Sequence, residues 1–130
     1  VDVALDCFEV CGIITDLDVV WSMNHTFMPD LLIILNREDK NISSIADNMG
    51  ASCVAHDKIA LDDDATGGRI DDASCAEGTS LTSPPSYVPH FPLARYNGLN
   101  ACGRWNLVIR DEFGEDSGFL NSVELIFQID

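Results

Sequence analysis

Apolar and polar residues alternate along several stretches of the chain. In residues 13–26, Leu17, Val19 and Trp21 fall on one face, and mainly polar residues fall on the other. A period of two is typical of a half-buried β-strand. The aliphatic run LLIIL at residues 31–35 predicts a second strand, which stops at a polar cluster as a core strand does before a turn.

The C-terminal part of the chain predicts a closing antiparallel hairpin. Trp105, Leu107 and Ile109 occupy every second position, and a further alternating run covers residues 123–129. The connection between these two runs is acidic and contains glycine. Two alternating runs joined by such a connection are typical of a hairpin.

The remaining segments predict more strands and few helices. The opening VDVALDCFEV alternates, which allows an additional N-terminal strand within residues 1–12. The stretch SSIADNMGA at residues 43–51 is the candidate helix, and residues 79–92, which are rich in proline and serine, predict an ordered loop. Many short strands with few helices favour a two-sheet β-sandwich in a single domain over residues 1–130.

The chain is strongly acidic. Its 130 residues include 22 Asp and Glu against 7 Lys and Arg, for a formal net charge of -15. Such a charge repels phosphate backbones and anionic membrane surfaces, so we expect no nucleic-acid partner. The longest strongly apolar run is far shorter than the roughly 20 residues that span a bilayer, and we expect no membrane insertion. The first residues lack the features of a secretion signal, so we expect any such signal to have been removed or to lie outside this chain.

Five cysteines are many for a domain of this size: Cys7, Cys11, Cys53, Cys75 and Cys102. None of them forms the C-x-x-C arrangement of a zinc ribbon, so disulfides in an oxidising, extracellular or secreted setting are the better interpretation. The sequence does not choose the pairing. One thiol is left over, either buried and inert or able to pair with another chain. Asn24 and Asn41 begin N-x-[ST] triplets and are candidate glycosylation sites.

Six residues of the N-terminal strands occur in a recognisable order: Ile14, Asp16, His25, Thr26, Asp30 and Leu31. This order resembles the start of the P domain, also called Homo B. That domain follows the catalytic domain in kexin-like and furin-like proprotein convertases and in many bacterial secreted subtilisin-like proteases. The family has an Ile-x-Asp strand, then His-Thr, then a turn through Gly-Asp-Leu into an aliphatic strand.

The C-terminal block carries the more specific part of this resemblance. The run RYNGLNACGRWNLVIRDEFGEDSGFLNSVELIF is similar to the family's signature of aromatic-Asn-Gly, Gly-x-Trp-x-Leu, Asp, Gly-Asp-x-Gly and Leu-Asn-Ser, with departures at Glu115 and Val123. The segment ALDDDA also resembles the family's Phe-Asp-Asp-x-Ala. The resemblance covers residues 13–130, and it implies an all-β jelly-roll β-sandwich of two antiparallel sheets with about eight strands.

The stretch EGTSLTSPP resembles the nucleophile loop of subtilisin-like proteases, with Ser80 in the place of the catalytic serine. That serine opens a helix and needs a positioned base and oxyanion donors. Pro84 and Pro85 prevent a helix here, so we expect Ser80 to be non-catalytic and the chain not to be an enzyme. His25 lies in the family's His-Thr pair, and we expect it to fix a loop by hydrogen bonds rather than to act as a base.

Aspartates are the candidate metal ligands. The run LDDDATGGRIDD starts like an EF-hand loop, but Ala73 stands where the twelfth position needs a bidentate carboxylate. P domains often carry calcium at their loops, so the resemblance implies a Ca²⁺ site assembled from several segments. The candidate ligands are Asp30, Asp62, Asp63, Asp111 and Asp116. The alternative is that these carboxylates cap turns by accepting hydrogen bonds from nearby backbone N–H groups.

Aromatic residues fall into two groups. Trp21 and Trp105 are in phase with aliphatic residues, which favours core packing over the stacking of sugar rings. Tyr87, Phe91 and Tyr96 lie in predicted loops and are candidates for an exposed contact patch, or for closing one end of the sandwich.

These observations favour a non-catalytic module of a secreted or surface protein, stabilised by Ca²⁺. The resemblance implies contact with a protein partner, which in the convertases is the protease domain. A second interpretation is a self-associating subunit of an extracellular assembly, whose identical chains join through strand edges, loops or a disulfide. Carbohydrate binding is a third and weaker interpretation.

Overall fold

The computed structural model describes residues 2–38, 43–50, 52–113 and 117–130. Within these ranges the chain forms eight β-strands: β1 Asp2–Cys7, β2 Ile14–His25, β3 Leu31–Arg37, β4 Ser43–Asp47, β5 Cys53–Leu61, β6 Thr79–Thr82, β7 Gly103–Asp111 and β8 Gly118–Ile129. The only helical segments in the described residues are three 3₁₀ turns: Met28–Asp30, Ile70–Asp72 and Leu93–Tyr96. None of these described helices is long and apolar enough to span a membrane.

The strands form two four-stranded sheets that pack face to face. One sheet has the order β1-β7-β3-β4, and the other has the order β6-β5-β2-β8. The prediction of an all-β, two-sheet sandwich with about eight strands is therefore confirmed. The opening segment supplies β1, which pairs antiparallel with β7. One pairing departs from the antiparallel expectation, because β6 joins β5 in parallel at the sheet edge.

Alternation along β2 sets the core between the sheets. Leu17, Val19, Trp21 and Met23 are buried, as their spacing predicts, and they meet aliphatic residues of β3 and β7 in one cluster. Successive side chains of a strand point to opposite faces, so these four alternate positions share the buried face of β2. Trp105 is also fully buried. The expectation that both tryptophans are core residues is confirmed.

The polar ends of the two indoles are satisfied inside the core. Trp21 donates its Nε1–H to Nδ1 of His56 at 3.0 Å. Trp105 donates its Nε1–H to the carbonyl oxygen of Ala101 at 3.1 Å. Burial lowers the pKa of His56 to about 4, so the ring is neutral and can accept the Trp21 bond at physiological pH.

Two local predictions are wrong. Residues 43–47 are strand β4 rather than part of a helix, because Ile45 and Ala46 are needed in the core and the segment pairs with β3. Residues 79–82, predicted as loop, are strand β6. In both segments non-local pairing decides the backbone, and the local composition is too polar to indicate a strand. Ser80 lies in β6, on the exposed edge of its sheet.

The three loop aromatics do not share one environment. Phe91 is 41% exposed, and the Arg95 guanidinium lies 4.6 Å from its ring centre. Tyr87 and Tyr96 are buried, and the Tyr96 hydroxyl donates to the carbonyl oxygen of Leu35. Those two residues therefore close the sandwich, which is the alternative to an exposed patch, because their rings fill space beside the sheet ends.

Candidate metal site

The β2 strand presents two aspartates on its outward face. Asp16 and Asp18 alternate with the buried Leu17 and Val19, so both carboxylates point away from the core. Both are half-buried rather than fully exposed. Strand geometry places them two positions apart on the same face, which is close enough for their carboxylates to bind the same ion.

The neighbouring strand adds a third carboxylate. Val19 pairs with Leu61 across the β2–β5 ladder, so the residue after β5, Asp62, lies opposite Asp18. One oxygen from each of Asp16, Asp18 and Asp62 lies within 4.8 Å of the others. We call these three residues the acidic triad. Like charges opposite one another on a sheet are destabilising, so the triad is an unfavourable arrangement without a counter-charge.

Electrostatics at the triad reflect this crowding. Burial, followed by the charges of Asp62 and Asp16, raises the pKa of Asp18 to about 6. Burial and then the charges of Asp62 and Asp64 raise the pKa of Asp16 as well. Oδ1 of Asp18 is inaccessible to solvent and has no hydrogen-bond partner among the described residues. An acceptor in that position is short of a cation or a donor.

The donor set of the triad suits a hard cation. All its ligand atoms are carboxylate oxygens, which suit Ca²⁺ and Mg²⁺ better than the softer metals that take Cys or His. Oxygens that bind one Ca²⁺ ion at about 2.4 Å can be at most about 4.8 Å apart, and the three triad oxygens lie within that limit. Ca²⁺ requires about six to eight oxygens, so backbone carbonyls or water would complete the shell.

The turn after β5 holds Asp62 in place. The backbone N–H of Asp62 donates to the carbonyl oxygen of Tyr87 at 3.0 Å. Oδ1 of Asp62 accepts from the backbone N–H of Asp64 at 3.0 Å, which closes a tight Asx turn. The carboxylate is therefore positioned by its own backbone before any ion arrives.

Asp63, another of the predicted ligands, binds backbone N–H groups with both of its carboxylate oxygens. Its Oδ1 accepts from the N–H of Leu93 at 2.7 Å, and its Oδ2 accepts from the N–H of Ala94 at 2.8 Å. Both oxygens thus cap the start of the 3₁₀ turn Leu93–Tyr96. This is the turn-capping alternative, and it leaves Asp62 as the predicted ligand that lies in the acidic triad.

Asp30 and Asp111 lie at the opposite end of β2. Asp111 accepts a hydrogen bond from Nε2 of His25 at 2.7 Å through Oδ2, and one from the N–H of Phe113 at 3.2 Å through Oδ1. The N–H of Phe27 donates to Nδ1 of the same histidine at 3.0 Å. Asp30 is buried beside them, at the start of β3, where Leu31 pairs with Asp111. His25 thus fixes a loop by hydrogen bonds.

The structure does not bring Asp62 and Asp111 together. Asp62 lies near Asp18, and Asp111 lies at His25, seven positions further along β2. At about 3.3 Å per residue the two ends are about 23 Å apart. Two separate groups of carboxylates therefore replace the single predicted assembly. Asp116 and Asn41 lie outside the described residues, and Asn24 is exposed near the end of β2.

The position of the two triad aspartates of β2 could have been predicted from the sequence. Alternation already places Asp16 and Asp18 together on the polar face of β2. Their meeting with Asp62 depends on which strand pairs with β2 and in which register, and neither property has a local signal.

Two disulfides brace the loops. Cys11 is bonded to Cys102, which links the segment after β1 to the segment before β7. Cys53 is bonded to Cys75, which ties the start of β5 to the loop before β6. Cys7 is a half-buried free thiol in β1, and burial raises its pKa. Two bridges indicate an oxidising compartment.

The chain matches no protein-family model, no curated protein and no solved structure.

Proposed function

We propose that this chain is a non-catalytic, extracellular β-sandwich module that is stabilised by Ca²⁺ at the acidic triad and acts by contacting another protein. The observation that carries the proposal is the orphaned, buried Oδ1 of Asp18 among three carboxylates. A Ca²⁺ ion would supply the missing partner and remove the repulsion between the side chains.

The contact role rests on the resemblance to the P domain. In that family the module packs against a protease and stabilises it, so a protease domain is the first candidate partner. The segments that carry the resemblance form β2, β3, β7 and β8, and each of these strands contributes apolar side chains to the core or packs against it. The two disulfides support an extracellular setting, where millimolar calcium is available.

Calcium should raise the melting temperature of the purified chain. For a site with a Kd near ten micromolar, about 1 mM CaCl₂ adds about 2.7 kcal/mol to the free energy of unfolding, since the ion binds only the folded state. The midpoint should therefore rise by roughly 10 °C relative to excess EDTA. Scanning calorimetry in both buffers measures the shift.

A matched pair of variants locates the site. Asp62→Asn removes one charge from the acidic triad, and Asp72→Asn removes one charge from an exposed aspartate elsewhere. We expect the first variant to lose most of the calcium-induced rise and the second to keep it. An equal rise in both variants would place the ion elsewhere and defeat this assignment.

A self-associating subunit is the second candidate function. Cys7 favours it, because this free thiol lies in an edge strand and is half-buried rather than enclosed. The mass of the protein under non-reducing conditions separates the two candidates. A covalent dimer that Cys7→Ser abolishes supports the self-associating subunit. A monomer with a free Cys7 thiol supports the accessory module.

A further inference from the structure

The last strand of the chain has one unpaired side. β8 pairs with β2 along one edge, and among the described residues no strand pairs with its other edge. The pairing with β2 is regular between Val123 and Gln128, so this stretch is straight enough to continue the ladder. We call the unpaired side of residues 122–129 the β8 edge. A sheet edge presents a row of unused backbone N–H and C=O groups.

The β8 edge lacks the features that usually protect a sheet edge. Natural edges carry lysines, prolines or inward-pointing charges. Glu124 is the one charged residue of β8, in a chain with a net charge of -15, and the strand contains no proline. Ile126 is exposed on its outward surface, and Ile129 is exposed at the end of the strand. The free edge of β8 is therefore able to pair with another strand.

The core is also open along this side. Val123, Leu125 and Phe127 point inward from β8, but all three are only partly buried, whereas their partners on β2 are fully buried. Phe127 packs on Trp105 of the facing sheet, with ring centres 5.4 Å apart. Trp105 pairs with Leu5 of β1, which is itself half-buried. Both sheets thus leave apolar surface uncovered on the same side of the sandwich.

A cleft lies between the sheets near the start of β8, beside the C-terminal end of β2. It has a volume of about 230 Å³, and its apolar lining comes from β2, β3, β7 and β8: Met23, Leu31, Ile109 and Leu120. Sites for small molecules measure about 300–1,000 Å³, so this cleft suits a single aliphatic side chain better. A strand laid against β8 could place one such side chain in it.

We infer that the β8 edge binds an extended segment of another protein, which adds a fifth strand to the β6-β5-β2-β8 sheet. Its inward side chains are aliphatic and cover Val123, Leu125 and the cleft, and its outward side chains are Lys or Arg. Backbone hydrogen bonds give affinity in such strand addition, and the alternating pockets give specificity. The inference deepens the proposed contact role by naming the kind of partner, and it rests on that role.

Charge argues against a second copy of this chain as the occupant of the β8 edge. Two chains with a net charge of -15 each repel one another, and an edge-to-edge dimer would gain no opposite charge from β8. A basic segment is attracted instead, and its binding should weaken as salt is added.

The probe is a synthetic eight-residue peptide with capped ends that alternates lysine with valine and carries one leucine. Its control has the same sequence with N-methyl groups on the four central backbone nitrogens, so charge and apolar content are kept while ladder bonds are lost. Titration calorimetry should show binding of the first peptide and at least tenfold weaker binding of the second. Equal binding of both peptides would mean simple charge attraction and would overturn the inference.

Amide exchange on the unmodified protein locates the peptide without any substitution. Alternate N–H groups of residues 122–129 face the open edge and should exchange several-fold more slowly when the peptide is bound. Slowing at the edge of β6 or β4 instead would overturn the assignment to β8.

Two variants add a matched test. Leu125→Lys places a charge on the inward side of the β8 edge, and Val54→Lys adds the same charge at an exposed apolar residue of β5. The first should weaken peptide binding at least tenfold and the second only slightly. Self-association of the peptide-free protein through β8 would assign the edge to a second copy. A failed peptide test leaves the calcium result untouched, so the two failures can be told apart.

Discussion

The two ends of strand β2 each hold a group of aspartates, and the two groups are satisfied differently. At the downstream end, Asp111 accepts hydrogen bonds from His25 and from the N–H of Phe113. At the upstream end, Asp16, Asp18 and Asp62 face one another, and an oxygen of Asp18 is buried with no hydrogen-bond partner in the described part of the chain. Carboxylates that are already paired stabilise a fold by themselves, whereas crowded ones need an outside cation.

This difference explains why position, rather than the number of carboxylates, indicates a metal site. A net charge of -15 makes aspartates common all over the surface. A cation binds more strongly at one place than at the rest of the surface only where strand pairing holds like charges together and shields them from water. The downstream group should therefore be indifferent to calcium, and the upstream group should depend on it.

The largest expected effect comes from His56, which lies between the two ends beside Trp21. Its folded pKa is lowered from 6.5 to about 4 by burial, so the folded state resists protonation. Stability is then present above pH 6.5 and is lost as the pH falls toward 4, by about 3 kcal/mol. Urea unfolding at pH 7 and pH 4, compared with His56→Gln, isolates this contribution. Identical pH profiles for the two proteins would contradict it.

The next effect comes from breaking the downstream group. His25→Ala leaves the Phe27 N–H and Asp111 without their shared partner, in a site where His25 is 6% exposed. We expect a loss of about 2–3 kcal/mol in the free energy of unfolding. The loss should be equal in EDTA and in calcium. A larger loss in calcium would mean that the downstream end binds the ion.

A smaller effect is expected from Asp63→Ala, which removes the double cap on the 3₁₀ turn Leu93–Tyr96. The expected loss is about 1–2 kcal/mol, because two backbone N–H groups lose their acceptor. Asp63 lies next to Asp62, yet the calcium-induced rise in melting temperature should survive. Thermal melts of the variant in both buffers decide whether Asp63 is a cap or a ligand.

Much of the fold could be predicted from the sequence because its strands carry their own signal. β2 alternates from Asp16 to His25, so its buried face follows from the side chains alone. β4 carries no such signal: Ser43, Ser44 and Asp47 read as polar, and the segment becomes a strand because β3 offers it a ladder. The parallel entry of β6 likewise depends on the path of a long loop.

The candidate site was predictable only in part for the same reason. Asp62 and Asp63 look equivalent in sequence, but adjacent residues after a strand point in different directions. One therefore meets Asp18 across the ladder, and the other turns to the backbone of Leu93. The disulfide pairing was equally hidden, since Cys11 and Cys102 approach through the β1–β7 pairing, across 91 residues of sequence.

The smallest effect is also the one that separates the two ends of β2 most sharply. Asp18→Asn removes one of three crowded charges and gives the buried oxygen an amide in place of a carboxylate. In EDTA near pH 7.5 the variant should be more stable than the unsubstituted protein by about 0.5–1 kcal/mol, since like charges across a ladder are relieved.

In calcium the order of stability should reverse, because the variant has lost a charged ligand and no longer gains from the ion. The measurement is the free energy of unfolding of both proteins in both buffers, with Asp72→Asn as the control for net charge. A variant that is less stable in both buffers would show that Asp18 accepts a stabilising donor rather than a metal ion. A reversal of the stability order between the two buffers requires that the Asp18 carboxylate destabilises the fold without calcium and binds the ion when calcium is present.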